Sequence, residues 1–236
     1  MGEPIRPLNG PPISDRMFKA LGSTMSPCEK LFILQVLYRR ARQDSNLRPF
    51  APEANALSPE LRALRVRNDV DEITVRIAIV SDTHMPRAGR RLPASCVEQL
   101  RMADLIVHAG DFVTLSVLRD LESYGVVVGV HGNVDDAEVR AALPERAVVE
   151  SEGARIGIVH HAGPARGRIP RLRRRFANVD AVVFGHSHIP VHQRLQDGFQ
   201  IFNPGSPTER RFPAGHSMGI AEVQAGQIAF ELVTLD

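Results

Sequence analysis

The sequence predicts an α/β fold in which two β-sheets pack together and helices cover them. After about Val70 strand-like and helix-like segments alternate in a βαβαβ order, which is typical of a parallel sheet covered by helices. Two later pairs of apolar segments flank short turns at Glu152-Gly153 and at 224–226, and each pair predicts an antiparallel hairpin. Because both kinds of strand pairing are predicted, we expect two sheets rather than one.

The individual elements follow from apolar runs that are bounded by glycine or polar residues. The first strand is predicted within 72–81, and a helix is predicted over 93–102, where Pro93 occupies an early position that tolerates its missing N–H. The other predicted elements are the strand 105–108, the helix 114–124, the strand 126–131, the hairpin strands 147–150 and 155–159, the strand 181–184, and the hairpin strands 219–223 and 228–233.

Residues 1–70 do not follow this pattern. Proline-rich, irregular sequence precedes one short amphipathic stretch at 29–42, which is too short and too charged for a membrane anchor. The segment 44–64 resembles the conceptual translation of a tRNA gene read upstream of a true start codon. We therefore expect residues 1–70 to be a mis-assigned start, and the alternative is a real but poorly ordered extension. The functional domain is predicted over 71–236.

Composition excludes several classes of function. No apolar run approaches the ~20 residues of a membrane span. Cys28 and Cys96 form neither a disulfide framework nor a metal-ligand spacing, so we expect a reducing cytoplasm. Residues 71–236 carry 18 basic and 20 acidic groups, which argues against an extended nucleic-acid surface. The same region has no lysine, which excludes a P-loop and Schiff-base chemistry.

Five polar clusters each follow an apolar run, at the point where a predicted strand ends. That edge of an open α/β sheet is where ligands bind. Any one cluster taken alone is better explained as a turn or a helix cap, but chance does not explain all five. Carboxylate, amide and imidazole groups that converge there suit two metal ions and hydrolysis. The clusters are Asp82-Thr83-His84, Gly110-Asp111, Gly132-Asn133, His160 and Gly185-His186-Ser187-His188.

The order D-x-H, G-D, G-N, H, G-H-x-H resembles the signature of the calcineurin-like metallophosphoesterases. The motif Asn203-Pro204-Gly205-Ser206 is similar to the late loop of their small bacterial and archaeal phosphodiesterase branch. The resemblance covers about 75–236. It implies a four-layer α/β/β/α sandwich of two mixed sheets flanked by helices, with a dinuclear metal centre between the loop edges of the sheets.

The resemblance also implies how the ligands are shared. The first metal would take Asp82, His84, Asp111 and His188, and the second would take Asp111, Asn133, His160 and His186. Asp111 would bridge the ions together with a water or hydroxide that attacks phosphorus, and Asp111, Asn133 and His160 are the expected catalytic residues. Mixed nitrogen and oxygen ligands suit Mn, Fe, Zn, Co or Ni better than Ca, and manganese is the expected metal.

One departure from the family pattern matters. Many members have histidine directly after the Gly-Asn pair, where it can protonate the leaving oxygen, but this chain has Val134. Asp135 either orients a ligand or is a solvated turn carboxylate, and both readings stay open. His161 stands where glycine is usual in the family. We expect structural roles for His108 and His131, and surface positions for His192 and His216.

The expected function is hydrolysis of a small phosphodiester or nucleotide. Arg166 and Arg168 follow the His160 loop and are candidate ligands for the substrate phosphate, whereas 171–175 reads as a solvated helix face. A phosphomonoesterase is the alternative that Val134 disfavours. The second alternative is a binding scaffold without catalysis, although family members of that kind usually lack some of the metal-ligand residues. We expect no membrane partner, and a homo-oligomer is left open.

Overall fold

The computed structural model describes residues 74–209 and 215–236. The expected N-terminal extension, residues 1–70, lies outside the described residues. Within the described ranges the chain forms two sheets with helices, as the sequence predicts, and each sheet has five strands. Both sheets are mixed, so the prediction of parallel and antiparallel pairing is confirmed.

The first sheet has the strand order β10-β9-β1-β2-β3. Its centre is parallel, since β1 pairs with β2 and β2 with β3 in the same direction, while β9 and β10 form the predicted C-terminal hairpin. The carboxyl ends of β1, β2 and β3 therefore lie at one edge. The strands are β1 Val75–Val80, β2 Leu105–His108, β3 Val127–Gly129, β9 His216–Gln224 and β10 Gln227–Leu235.

The second sheet has the strand order β4-β5-β6-β8-β7. Strands β5, β6 and β8 are parallel, whereas β4 and β7 are antiparallel strands at its two edges. The carboxyl ends of β5 and β6 lead directly into His160 and Gly185. The strands are β4 Arg146–Ser151, β5 Ala154–Val159, β6 Ala181–Phe184, β7 Val191–Arg194 and β8 Gln200–Asn203.

Helices cover the outer face of each sheet. Alternate residues of β1, Ala78 and Val80, share one buried apolar cluster with helices α1, α2 and α3. On the second sheet, Val182 and Phe184 pack against helix α4 and Phe176. The helices are α1 Ala94–Met102, α2 Leu115–Glu122, α3 Ala137–Ala142 and α4 Arg168–Arg175.

The inner faces of the two sheets pack against each other. Phe202 of β8 stacks on Phe230 of β10 with ring centroids 4.7 Å apart, and the Gln200 amide donates to the Ile228 carbonyl at 2.9 Å. On β1, the side chains that point away from the helices, Ile77 and Ile79, are fully buried. Burial of each such side chain contributes about 1.5–3 kcal/mol to the stability of the fold. The result is the predicted α/β/β/α order of layers.

Four elements were not predicted, and one of them is a 3-10 helix at Arg87–Gly89. Helix α3 has only six residues, and β7 is a mostly exposed edge strand of sequence Val-His-Gln-Arg. Strand β8 is short and fully buried, with polar residues at both ends. Their sequences lack the periodicity on which prediction depends. No helix in the two described ranges is long and apolar enough to cross a membrane.

Candidate metal centre

Loops at the carboxyl ends of β1, β2, β3, β5 and β6 meet at one edge of the sandwich. Backbone hydrogen bonds link these loops: Asp82 N donates to Gly110 O at 2.9 Å, and His84 N donates to Asp111 O at 3.0 Å. Within the second sheet, Gly185 N donates to His160 O at 3.0 Å. Main-chain hydrogen bonds therefore link the first polar cluster to the second and the fourth to the fifth.

The first group of side chains comprises Asp82, His84 and His188, and all three are buried. The two histidine Nε2 atoms lie 3.2 Å apart, and His188 Nε2 lies 3.3 Å from Asp82 Oδ1. His84 Nε2 lies 3.9 Å from the same oxygen. Ligand atoms bonded to one ion at about 2.0–2.2 Å are spaced ~3.0–3.5 Å apart. The group thus has the composition and spacing of a metal site.

The second group comprises Asp111, His160 and His186, with Asn133 beside them. His160 Nε2 lies 3.2 Å from Asp111 Oδ2 and 3.0 Å from Asn133 Oδ1. The same amide oxygen lies 2.9 Å from His186 Nδ1. Asn133 is exposed and His186 is partly exposed, so this group opens to solvent while the first is enclosed.

Asp111 stands between the two groups. Its Oδ2 atom lies 3.2 Å from His160 Nε2 in the second group and 3.6 Å from His84 Nε2 in the first. Its other oxygen accepts a hydrogen bond from Val134 N at 3.0 Å, which fixes the orientation of the carboxylate. The structure therefore brings all seven residues predicted as ligands into one network, with Asp111 at its centre.

Contacts behind the ligands fix which atoms face the site. His160 Nδ1 donates to the Ala109 carbonyl at 2.8 Å, so the lone pair of Nε2 points toward Asp111. The Asp82 carboxylate accepts from His186 N at 2.9 Å and from Ser81 Oγ at 2.6 Å. These contacts orient the ligands in advance of any ion.

The backbone at the site is strained. Five of the seven residues have φ in the left-handed region: Asp82 at 56°, His84 at 46°, Asp111 at 65°, His186 at 71° and His188 at 57°. Residues with side chains rarely adopt this conformation, and such strain clusters at functional sites.

Glycine is required before two of the ligands because other site residues pack against its Cα. A Cβ at Gly185 would lie 2.7 Å from Asp82 Oδ2, and a Cβ at Gly132 would lie 2.7 Å from Asp111 Cγ. Real Cβ atoms do not approach other atoms so closely. The glycines of the G-N and G-H motifs thus allow the loops after β3 and β6 to place Asn133 and His186 close to the carboxylates of Asp111 and Asp82.

The charges of the site favour cations. Burial alone would raise the pKa of Asp82, but contacts with His188 and His84 outweigh it and hold the pKa well below its usual range. Burial is likewise outweighed at Asp111, whose pKa is lowered by His160 and by the Val134 N–H. At His160 burial opposes protonation, yet Asp111 and Asp82 raise its pKa. Two buried carboxylates thus stay ionised, and the donor set fits divalent transition metals.

Comparison with known proteins identifies the family. The sequence model of the calcineurin-like phosphoesterase superfamily domain matches residues 75–226, which is well over half of the chain. The chain belongs to this superfamily. A probable metallophosphoesterase of Methanothermobacter thermautotrophicus is 34% identical over 137 residues, which cover 57% of this chain and 78% of the relative.

Two further proteins extend this comparison. A phosphodiesterase of Methanocaldococcus jannaschii is 23% identical over 145 residues, which cover 56% of this chain and 83% of that protein. Among solved structures, vacuolar protein sorting 29 of Cryptosporidium parvum superposes with a TM-score of 0.61 at 21% identity, covering 69% of this chain and 92% of that one. At this identity the structural likeness shows the shared superfamily fold alone.

Asp135 is a buried anchor of the superfamily's G-D and G-N loops rather than a solvated turn residue. Its Oδ1 accepts from Val113 N at 2.6 Å, and its Oδ2 accepts from Gly132 N at 2.7 Å and from Asp111 N at 3.2 Å. The reading in which Asp135 orients a ligand is the one that the structure supports. Asp136 instead caps helix α3 by accepting from Val139 N at 2.9 Å.

The candidate substrate arginines lie on the second-sheet side. The Arg168 guanidinium lies over the Phe184 ring, 4.9 Å from its centroid, and donates to Gly163 O at 3.4 Å. Phe184 directly precedes the Gly185 loop, whereas Arg166 is exposed in the loop before α4. Contact of either arginine with a substrate phosphate stays a prediction.

The other histidines have varied surroundings. His161 is exposed and packs its ring edge-on against His186, with centroids 4.4 Å apart. His192 is exposed, with Nε2 2.9 Å from Gln200 Oε1. His131 is partly buried and donates its backbone N–H to Pro144 O at 3.0 Å, and His216 is a partly buried residue at the start of β9.

Two features of the site were not predicted. Ser206 Oγ donates to the Asp82 carbonyl at 2.8 Å, and Thr208 Oγ1 donates to the Thr83 carbonyl at 2.6 Å, so the late loop fastens the D-x-H loop. Glu209 places its carboxylate 3.2 Å from His188 Nδ1 and 3.4 Å from an Arg90 nitrogen. The sequence feature that could have indicated an acidic residue near the D-x-H loop is the group of arginines at 87, 90 and 91, which closely follows that motif.

The surroundings of His108 predict a fold that is sensitive to acid. It is fully buried, stacks on Phe112, and accepts from Gly110 N at 3.1 Å. Burial lowers its pKa to about 3, against 6.5 for the unfolded side chain. Between these values the unfolded chain binds the proton more readily, so stability is lost as the pH falls from 6.5 toward 3.

We therefore expect a His108→Asn variant to lose less stability in acid than the wild type. From pH 6.5 to 4.5 the difference should be about 2–3 kcal/mol, at 1.36 kcal/mol per pKa unit. The measurement is urea unfolding of both proteins in chelator across that range. Both proteins contain Asp82, Asp111 and His160, so the contributions of these groups to the pH dependence of stability cancel in the comparison. Parallel pH profiles would show that His108 already binds its proton in the fold.

Proposed function

We propose that this chain is a dinuclear metal-dependent phosphodiesterase that acts on small phosphodiesters or nucleotides. The observation that carries this proposal is the position of Asp111 Oδ2, which faces His160 of one ligand group at 3.2 Å and His84 of the other at 3.6 Å. A single carboxylate oriented toward two histidine-containing groups is what a bridged pair of ions requires.

The residues divide between the two ions as the geometry groups them. Asp82, His84 and His188 would hold the first ion, Asn133, His160 and His186 would hold the second, and Asp111 would serve both. When bound, the ions would lower the pKa of an attacking water and stabilise negative charge on the phosphoryl oxygens. Manganese is the proposed metal, and Fe, Zn, Co and Ni suit the same donors.

The chain itself supplies orientation and access. Asp82, His84 and His188 are enclosed, whereas Asn133 is exposed and His186 is partly exposed. A phosphate ester would therefore approach from the second group. Arg166 and Arg168, on the loop and helix that follow His160, are the proposed partners for its free oxygens, because a guanidinium group binds phosphate through two parallel hydrogen bonds.

Diester substrates are favoured over monoesters by the residue after Asn133. Val134 contributes a backbone N–H to Asp111 but no side chain that can donate a proton. Asp135 does not replace it, because its carboxylate already accepts three backbone hydrogen bonds. The relative named as a phosphodiesterase is consistent with this preference.

The test is metal removal and addition with a panel of phosphate esters. We expect the chelated protein to be inactive, and Mn²⁺ to restore hydrolysis of bis-aryl or cyclic nucleotide phosphates when two ions are bound per chain. Faster hydrolysis of aryl monoesters would make it a phosphomonoesterase. Two bound ions with no hydrolysis of any ester would replace the enzyme by a metal-binding scaffold. Full activity with one ion would reject the dinuclear centre.

The absence of a proton donor at position 134 predicts a steep dependence on the leaving group. General acid catalysis is typically worth roughly 10²–10⁴-fold, and its loss weighs most on alkoxide leaving groups. In a series of substituted aryl phosphodiesters at saturating substrate, the rate should fall steeply as the leaving-group pKa rises. Aryl diesters should also react faster than alkyl monoesters. A flat series with rate-limiting chemistry would show that another residue donates the proton, and His161 would be the first to replace.

A further inference from the structure

The two ring nitrogens of His188 have different neighbours. Nε2 faces Asp82 Oδ1 and His84 Nε2 at 3.3 and 3.2 Å, where an ion would bind. Nδ1 is buried, and within the described ranges no hydrogen bond to it is complete. The Glu209 carboxylate lies beside this nitrogen, with Oε2 at 3.2 Å, which is within hydrogen-bond distance. The same oxygen lies farther, 3.8 Å, from His84 Nε2.

Glu209 is fixed in this place by the loop that carries it. Its backbone N–H donates to Ser206 Oγ at 3.0 Å, and Ser206 Oγ donates in turn to the Asp82 carbonyl at 2.8 Å. Arg90 reaches the second carboxylate oxygen, Oε1, at 3.4 Å. The carboxylate thus stands between a cation on one side and the His188 ring on the other.

We propose that Glu209 is a positioning residue that orients His188 for metal binding. By accepting a hydrogen bond from Nδ1–H, Glu209 fixes the His188 tautomer in which the lone pair of Nε2 points at Asp82 and His84. A carboxylate behind a metal-bound histidine fixes the ring and raises its basicity. This inference rests on the proposed metal centre and adds a residue that the seven-ligand signature does not contain.

The test measures ion binding as well as rate. Glu209→Ala should weaken one of the two Mn²⁺ sites by roughly 10–100-fold, the usual cost of losing such a partner, and should leave the other site unchanged. Glu209→Gln should recover most of the affinity, because its amide oxygen still accepts from Nδ1–H. Titration calorimetry gives the affinities, and the visible spectrum of the Co²⁺-loaded protein should change in Glu209→Ala and return in Glu209→Gln.

The control is Glu222→Ala. Glu222 pairs with Arg76 on the first sheet and is more than half exposed, so its loss removes a carboxylate without touching the site. Glu209→Leu, which keeps most of the volume without an acceptor, repeats the test if Glu209→Ala does not fold.

Two outcomes would overturn the proposal. The first is wild-type affinity and an unchanged Co²⁺ spectrum in Glu209→Ala or Glu209→Leu. The second is Glu209→Gln binding as weakly as Glu209→Ala, which would make Glu209 a direct ligand that needs its charge. A wild-type protein that binds no ion would instead reject the proposed function, so the two failures are distinguishable.

Discussion

The Asp111→Asn variant is expected to hydrolyse phosphodiesters at least ~10³-fold more slowly than the wild type, about 4 kcal/mol in the activation barrier. Asp111 Oδ2 is the one carboxylate oxygen that faces histidines of both ligand groups, at 3.2 and 3.6 Å, within the part of the chain that the structure describes. An amide removes the charge that both ions would share. It also preserves the shape of the side chain, and its oxygen can still accept from Val134 N.

The measurement is kcat/KM for a bis-aryl phosphodiester in buffer replete with Mn²⁺, together with the number of ions bound. Asp120→Asn is the matched control, because Asp120 is exposed on α2 and contacts none of the seven ligands. The control should retain the wild-type rate. Near-wild-type activity of Asp111→Asn would reject the two-metal mechanism.

Asp135→Ala is expected to destabilise the metal-free fold by about 3–5 kcal/mol. The buried Asp135 carboxylate accepts three backbone hydrogen bonds, from Val113, Gly132 and Asp111. Hydrogen bonds to charged groups contribute roughly 1.5–3 kcal/mol each, and their loss leaves three buried N–H groups unpaired. The contributions are not fully additive, because the three donors share one carboxylate.

Urea unfolding in chelator measures this effect, and the neighbouring residue provides its control. Asp136→Ala removes only the N-cap of α3, for which about 1 kcal/mol is expected. If Asp135→Ala cost no more than Asp136→Ala, the three hydrogen bonds would not be a main support of the loops. Asp135→Ala should also lower activity, since it frees the backbone that positions both Asp111 and Asn133.

The sequence predicted the elements that carry the site because those elements are the most regular ones. Strands β1, β2, β5 and β6 each contain an uninterrupted apolar run that is followed by a glycine or polar residue. Parallel strands place their carboxyl ends at one edge, so the polar residues after them had to converge. Position along the strands was therefore sufficient to group the seven residues.

What the sequence did not reveal depends on long-range contacts. Glu209 is 21 residues from His188 in the chain and has no pattern around it, yet the fold places the two 3.2 Å apart. The role of Asp135 stayed open for the same reason, because its hydrogen bonds reach back to the loop after β2. Such contacts are set by how two loops meet, and neither loop alone contains that information.

The left-handed backbone at five of the site residues has a consequence for how the protein would change under selection. Each such residue costs about 1 kcal/mol or more, and glycine adopts the same conformation freely. Substitution of the partly exposed His186 by glycine would therefore remove this backbone strain. A laboratory selection for heat resistance alone would tend to erase the site before it altered the sheets. Stabilised descendants of this chain should be screened for ion binding at every round.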